Sequence, residues 1–309
     1  MKTPILGFTF HDTINVNNLG TFIPEVWANS VLGRLENQCP MMQSVRKDFS
    51  DDVAQEGSTV KIPKTGALVT HTKLPNTPVT LQNPTGTTVD VVLDTHKEVS
   101  FLVEDVAEAE SHPAVADSYT ADAAIAIGED IESSLLAEYA NVPIGNVIPL
   151  TKLSGIVTPD CFITARTKIL VTGKSGTQPR YLVIKDLAEF LPVEKFINAD
   201  YIAGKPLETG QVGSIVGFNV KETALCIQTT SPTQTHRMAW ARDGIALVTR
   251  RLPDPPAGCG VVSATINRNG VGLRVLRGYN MSYLGMQVTV DMLWGTKLVR
   301  PEWVCVIED

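Results

Sequence analysis

The chain has 309 residues, is 43% hydrophobic, and carries a formal net charge of −7 from 33 acidic and 26 basic side chains. This length suffices for one large or two modest domains with a sizeable core. The acidic balance argues against a dedicated nucleic-acid-binding module, because phosphate contacts require a basic surface.

The cysteines are scattered, odd in number, and form no CxxC pair and no cluster with histidine: Cys39, Cys161, Cys226, Cys259 and Cys305. This spacing predicts free thiols in a reducing compartment. No apolar run at the N-terminus has the length of a signal peptide, and no run of about 20 apolar residues occurs anywhere. We therefore expect a soluble cytoplasmic protein with no membrane partner.

The first part of the chain predicts an extended arm followed by a short helix. Residues 1–22 mix Gly, Asn, Thr and isolated hydrophobics without a helical period. Pro24 can begin a helix, since its missing N–H costs nothing at the first helical position. The apolar face of this helix is predicted to be formed by Trp27, Val31, Leu32 and Leu35.

The next part of the chain, residues 57–104, leaves the predicted body of the protein as a long excursion. Residues 57–63 and 98–104 both alternate in polarity, and we predict that they pair as two strands. The Thr-, Pro-, Gly- and Asn-rich connection also alternates at 79–81 and 88–93. A connection of about thirty residues is uncommon in a compact domain. We predict a long two-stranded loop that is held from outside the chain, because an isolated hairpin is marginal in water.

The strongest periodic signal predicts one long helix. Ser111 can cap it and Pro113 can begin it. Apolar side chains then recur every four residues: Val115, Tyr119, Ala123, Ile127, Ile131, Leu135 and Tyr139.

This helix lies in an acidic stretch. From Glu98 to Thr151 there are eleven acids and no Lys or Arg. The acids indicate either a solvated helix face or a surface that meets basic segments of a neighbouring molecule or that repels nucleic acid. Exposed ion pairs contribute only about 0–1 kcal/mol each, so such contacts would set register rather than stability.

The remaining chain predicts helices and strands in turn. Helices are predicted at 158–172 and 185–191, and a helix or helical turn at 237–249. Strands are predicted at 180–184, 272–275, 286–291 and 303–307, and short strands with turns at 199–221.

No motif predicts a catalytic, cofactor or metal site. The segment from Lys168 to Ser175 superficially resembles a phosphate-binding loop, but that motif requires glycine where Lys168 stands and a strand where a helix is predicted. The histidines lie far apart, outside metal-type spacings, and no Ser or Cys occupies a nucleophile elbow.

The order of these elements resembles the Hong Kong 97 type coat proteins of tailed bacteriophages, over nearly the whole chain. Several segments are similar to the short members of that family: FIPEVWANSVL (22–32), GSTVKIP (57–63), VED (103–105), LAEYA (136–140) and WGTKLVRPE (294–302).

The resemblance implies an α+β capsid fold with an N-terminal arm, an extended β-hairpin loop, a long spine helix, and peripheral and axial domains. The implied divisions are the arm (1–25), the N-terminal helix and connection (26–56), the extended loop over an adjacent subunit (57–104), the spine helix of the peripheral domain (105–144), the axial domain (145–245) and the return strands of the peripheral domain (246–309).

The implied function is that of a major capsid protein, which self-assembles into the icosahedral shell around the genome of a tailed double-stranded DNA phage. Its place would be the virion capsid, assembled in the host bacterial cytoplasm from pentamers and hexamers. The implied partners are a scaffolding protein, a portal protein and packaged DNA bound without sequence specificity. Neither a cofactor nor an enzymatic activity is implied.

We predict contacts between subunits at residues of the arm, the loop and the acidic stretch: Phe22, Trp27, Lys64, Lys73, Leu81, Val91, Glu104, Asp105, Glu129 and Glu132. Some relatives join subunits through Lys–Asn isopeptide bonds, and Lys64 and Lys73 lie near or in the loop.

Other functions stay open. A protein nanocompartment shell of the same fold would need a surface that docks cargo. A cytoplasmic enzyme would show a pocket with convergent titratable groups and stay a small oligomer. A tail-tube component would form open tubes, because its contacts do not close.

Overall fold

The computed structural model describes the chain in the following segments: 35, 39–47, 59–64, 68–83, 86–105, 114–150, 152–153, 156–158, 160–186, 214–256, 258–268 and 270–309. The predicted arm, almost all of the first predicted helix and most of the predicted helix at 185–191 lie outside these residues. So does most of the segment predicted to hold turns and short strands at 199–221.

The helices of the described residues are α1 (Ala114–Ala137) and α2 (Asp160–Thr167). The strands are β1 (Thr59–Lys64), β2 (Thr87–Val92), β3 (Thr95–Glu104), β4 (Val147–Pro149), β5 (Lys152–Leu153), β6 (Ile156–Val157), β7 (Arg180–Ile184), β8 (Ser214–Ile215), β9 (Phe218–Glu222), β10 (Gln228–Thr230), β11 (Thr233–Thr235), β12 (Arg237–Ala241), β13 (Ile245–Arg250), β14 (Val261–Arg268), β15 (Val271–Asn280), β16 (Gly285–Leu298) and β17 (Val304–Glu308).

A two-stranded hairpin opens the described fold. β1 pairs antiparallel with β2, with Thr59 opposite Val92 and Lys64 opposite Thr87. The predicted pairing of 57–63 with 98–104 is therefore wrong, whereas the strand predicted at 88–93 is confirmed. The predicted strand at 79–81 is irregular. Alternation indicates which side chains share a face, but it does not identify the partner strand.

A sheet built around β16 forms the first layer of the fold. β3 lies along one edge of β16, while β15 and β13 pair in succession with its other edge, and β14 pairs with β15. The helix α1 packs on one face of this sheet. The predicted apolar stripe of α1 is buried there from Ala123 to Leu135, which confirms the long helix.

A six-stranded sheet in the order β4-β17-β12-β7-β9-β8 forms the second layer. One of its faces packs on α2, which continues through Lys168–Thr172 as a wider helical turn and confirms the helix predicted at 158–172. Its other face, including Met238 and Trp240, joins the core beneath α1. The closing strand β17 pairs with β12 and β4, so it lies in this sheet rather than beside β16.

The prediction of a helix or helical turn over 237–249 is wrong for all but three residues. The segment forms β12, a short 3₁₀ turn at Arg242–Gly244, and β13. Both strands are buried on both faces. A continuous apolar run of this kind has no alternation, and its periodicity does not distinguish a buried strand from a helix. The strands predicted at 180–184, 272–275 and 286–291 are confirmed within β7, β15 and β16, and the strand predicted at 303–307 is confirmed from Val304 onward in β17.

Candidate subunit-contact surface

The hairpin base, formed by β1 and β2, is fixed to the body of its own chain. Its inward side chains Val60, Ile62 and Val91 are buried in one small core, where they pack with Leu93, Ala246, Val248 and Val299. The prediction that the hairpin is held from outside is therefore wrong for the base. Val91 is fully buried and offers no accessible surface to a neighbour, in contrast to its predicted contact role.

Two further features hold the base in place. The Nζ atom of Lys64 lies 2.9 Å from Oε1 of Glu302, which joins β1 to the turn before β17. Gly295 of β16 lies directly beneath the base. The approach is so close that a Cβ atom at this position would collide with the carbonyl oxygen of Val92. The ammonium of Lys64, a candidate for covalent joining, thus has an ionic partner within its own chain.

The loop tip, defined as residues 68–83, has every side chain exposed. Its large apolar side chains are between 61% and 89% exposed: Leu68, Val69, Leu74, Val79 and Leu81. Gln82 braces the tip across its width, where its Oε1 accepts a hydrogen bond from the Val69 amide at 2.9 Å. Lys73 is exposed and donates to the neighbouring Leu74 carbonyl at 2.8 Å. Lys73 and Leu81 are thus accessible, as predicted contacts must be.

The acids at the end of β3 are exposed. Glu104 ends the strand, and Oδ2 of Asp105 accepts a hydrogen bond from the Tyr279 hydroxyl at 2.6 Å. This hydrogen bond raises the pKa of Tyr279 above its ordinary value. On α1, Glu129 is also exposed. The structure places Glu104 and Asp105 together, while Glu129 lies apart from them on the helix.

Glu132 differs from the other predicted acidic contacts, because only 2% of it is exposed. Burial, opposed by a hydrogen bond with Thr223 and assisted by the nearby charge of Glu129, raises the pKa of its carboxyl to about 7. Its Oε1 atom has no hydrogen-bond partner. Burial, together with this carboxylate, also raises the pKa of the Cys39 thiol to about 12. Glu132 is therefore a core group, and the predicted subunit contact is wrong for its side chain.

Phe22 and Trp27, the predicted contacts of the arm and first helix, lie outside the described residues. Their role stays a prediction.

An apolar patch at the turn between β15 and β16 was not predicted from the sequence. This turn patch consists of Tyr279, Met281, Tyr283 and Leu284, which are 47%, 84%, 65% and 64% exposed. An open groove of about 250 Å³ lies beside it, lined by Ser100, Phe101, Leu102, Asn280, Tyr283 and Gln287. The signal in the sequence was a turn rich in large apolar residues, where polar residues are the rule.

Within the described residues, no group of three or more His, Cys, Asp and Glu side chains could hold a metal ion. None of the helices described is long and apolar enough to cross a membrane. The glycine of the loop that superficially resembled a phosphate site has a packing role. A Cβ at Gly173 would lie 2.5 Å from the Glu302 carbonyl oxygen, and the Trp303 indole donates to the Gly173 carbonyl.

Comparison with known proteins identifies the fold. No family model matches the sequence, and no curated protein matches it. A solved structure of Mycobacterium phage Che8 is 17% identical, with a TM-score of 0.59 over 87% of this chain and 90% of that chain. The capsid of cyanophage P-SCSP1u is 16% identical, with a TM-score of 0.58 over 82% and 83%.

A virus-like particle from Pyrococcus furiosus is also similar, at 11% identity and a TM-score of 0.51 over 92% of this chain and 99% of that chain. The chain therefore has the α+β fold of phage capsid proteins, the Hong Kong 97 type that the sequence predicted.

Proposed function

We propose that this chain is a major capsid protein, which self-assembles into the icosahedral shell that encloses the genome of a tailed double-stranded DNA phage. The observation that carries the proposal is the loop tip on a capsid fold. Sixteen consecutive residues, 68–83, expose all of their side chains, including those of Leu74 and Leu81. Contiguous exposed apolar surface marks a site of protein–protein interaction, since a solitary chain gains nothing by hydrating it.

The division of the hairpin supports this function. The buried base fixes the position of the loop tip through the chain's own core, and every side chain of the tip is exposed. A partner that covers the tip supplies what an isolated hairpin lacks. Repetition of modest interfaces of about 800 Å² per partner makes a closed shell cooperative.

The partners follow from this role. The subunits would form pentamers and hexamers, with a separate scaffolding protein and a portal protein during assembly in the host bacterial cytoplasm. The net charge of −7 suits a capsid shell that encloses DNA without binding it tightly or recognising its sequence. The domain division stays as predicted from the resemblance, with one revision: β17 would belong to the axial domain, whose β12 it pairs with.

A structural rather than enzymatic role also fits the groove. Its lining contains no carboxylate, imidazole or thiol to serve as an acid, base or nucleophile.

A nanocompartment shell is the second candidate function, favoured by the likeness to the Pyrococcus furiosus particle. The two functions differ in what the shell contains. A phage coat depends on a scaffold and portal and is filled with DNA, whereas a nanocompartment depends on a docked protein cargo.

Negative-stain electron microscopy of the recombinant chain, alone and coexpressed with candidate scaffolding proteins, tests the proposal. We expect closed polyhedral particles, or rings of five and six subunits, and a dependence of particle size on the scaffold. A uniform small oligomer under every condition would contradict the proposal. Closed particles that form without a scaffold and copurify with an enzyme would favour the nanocompartment.

A further inference from the structure

We propose that the guanidinium groups of Arg166 and Arg180, together with the turn at Gly217, form a binding site for a phosphate dianion. The site lies beside α2, at the β8 end of the six-stranded sheet. It belongs to a single chain, so the inference does not rest on the proposed function. It goes beyond that function, because it assigns a small anionic ligand to the chain.

The two arginine side chains converge on one point. A Cβ atom built on Gly217 would lie 3.7 Å from Nη2 of Arg180 and 3.9 Å from Nε of Arg166. Because glycine has no side chain, the space at this point stays open, and Gly217 itself is exposed to solvent. The space between the two guanidinium groups is therefore accessible to a small ligand.

Regular elements hold both arginines in place. Arg166 follows Ala165 of α2, which is fully buried against the six-stranded sheet. Arg180 begins β7, and Leu182 of the same strand is buried in the same core. Since side chains alternate along a strand, Arg180 lies on the face of the sheet that packs on α2. The two charges are thus positioned by a helix and a strand rather than by loops.

The turn between β8 and β9 brings the glycine against the arginines. Val216 and Gly217 have φ angles of 50° and 80°, as in two-residue hairpin turns whose central residues are both left-handed. On either side of the turn, Ile215 pairs with Phe218, and both are buried in the core beneath α2. The core of the sheet therefore fixes the backbone of the site before a ligand binds.

The positive charge at this point is not neutralised by the chain. Among the described residues, no carboxylate forms an ion pair with Arg166 or Arg180. Nε of Arg180 is buried and has no hydrogen-bond partner in the part of the chain that the structure describes. Residues 166–185 contain five bases and no acid. Burial of a charged group without a partner is unfavourable, and an anion at the open point would compensate for it.

The charge of the pair selects the kind of anion. Two guanidinium groups carry two positive charges, and a phosphomonoester carries about −1.5 to −2 at neutral pH. A phosphodiester of a nucleic-acid backbone carries a single negative charge. The planar donor fork of arginine matches the oxygens of a phosphate group. The site should therefore prefer inorganic phosphate or a phosphomonoester to DNA, in agreement with the acidic net charge of the chain.

Isothermal titration calorimetry of the full chain with inorganic phosphate, at an ionic strength held constant with sodium chloride, tests the site. Arg166→Gln removes the exposed guanidinium group. Arg180→Lys keeps the positive charge and removes the donor fork. Lys73→Gln, at an exposed base of the loop tip, removes the same charge as Arg166→Gln and is the control. Circular dichroism establishes that each variant is folded before it is titrated.

We expect saturable binding of phosphate by the parent and binding weaker by about tenfold or more in Arg166→Gln and Arg180→Lys, since each loses a charge-assisted hydrogen bond. Lys73→Gln should bind within about twofold of the parent, because a distant exposed charge is screened.

Absence of saturable binding by the folded parent would overturn the site, and so would equal affinities of the parent and Arg166→Gln. That second comparison decides the matter even where Arg180→Lys does not fold. A DNA duplex without terminal phosphates should not displace inorganic phosphate. Displacement by the duplex would overturn the preference for a dianion and indicate a nucleic-acid contact instead.

Discussion

The base and the tip of the hairpin are continuous in sequence and opposite in environment. Ile62, in the base, is 1% exposed in a small apolar core, whereas Leu81, in the tip, is 89% exposed. Both are branched aliphatic residues on the same excursion, with similar chemistry and reversed surroundings. The two parts of the hairpin therefore have different roles. The apolar side chains of the base pack in the core and hold the hairpin in place, whereas those of the tip are exposed for contact with a partner.

The base and the tip should therefore affect different properties, the base the stability of the fold and the tip the assembly of subunits. Removal of side chains from the base should weaken folding, because their contacts exist in the isolated chain. Removal of side chains from the tip should leave folding unchanged and weaken only association. The acidic helix α1 contains the same contrast on a smaller scale, between exposed Glu129 and buried Glu132.

The largest effect on folding is expected at the base. Ile62→Ala should lower the free energy of unfolding by about 2–5 kcal/mol, since it removes buried methylene groups and leaves a cavity. Its matched control, Leu81→Ala, should change that energy by less than about 0.5 kcal/mol, because the side chain is hydrated in the folded chain. Urea denaturation of unassembled protein measures both. Equal effects at the two positions would show that the base and tip are not distinct.

A smaller and pH-dependent effect is expected at Glu132. Its carboxyl has a pKa of about 7 when folded, against an ordinary value of 4.5. Between these pH values the folded chain keeps a proton that the unfolded chain releases, so stability falls as pH rises through this window. Above this pH window, the ionised Glu132 carboxylate lowers the free energy of unfolding by on the order of 3 kcal/mol.

Glu132→Gln should therefore stabilise the chain relative to the parent at about pH 8.5 and change little at about pH 5.5, because the native carboxyl is already neutral there. Glu104→Gln, at an exposed carboxyl on the end of β3 that is not among the groups that shift the pKa of Glu132, is the control and should show little difference between the two conditions. Denaturation midpoints at both pH values give the comparison. A Glu132→Gln effect that is independent of pH would contradict a protonated buried carboxyl.

Local patterns predicted the elements whose environment is one-sided. The stripe of α1 was readable because one face is buried and the other is wet, and the alternation at 272–275 and 286–291 was readable for the same reason. The segment 237–249 was misassigned because its strands are buried on both faces. Pairing was also misjudged, since the partner of β1 depends on where the chain turns rather than on alternation.

The candidate surface was only partly predictable for a related reason. Exposure of Lys73 and Leu81 followed from a long polar excursion with isolated apolar residues. Burial of Glu132 did not follow, because Thr223, ninety-one residues further along the chain, packs over the helix there. The groove was missed because it combines β3 with a turn near residue 283, and nothing in a single segment encodes that meeting.

The role of the loop tip in assembly is tested most directly by a variant in which a short Gly-Ser connection replaces residues 68–83 and leaves β1 and β2 in place. Thermal unfolding and electron microscopy are then compared between this variant and the parent under conditions in which the parent forms particles. We expect that the variant has the same melting temperature as the unassembled parent chain and forms no closed particles. Normal particles without the tip would contradict the central claim that this loop joins the subunits of a shell.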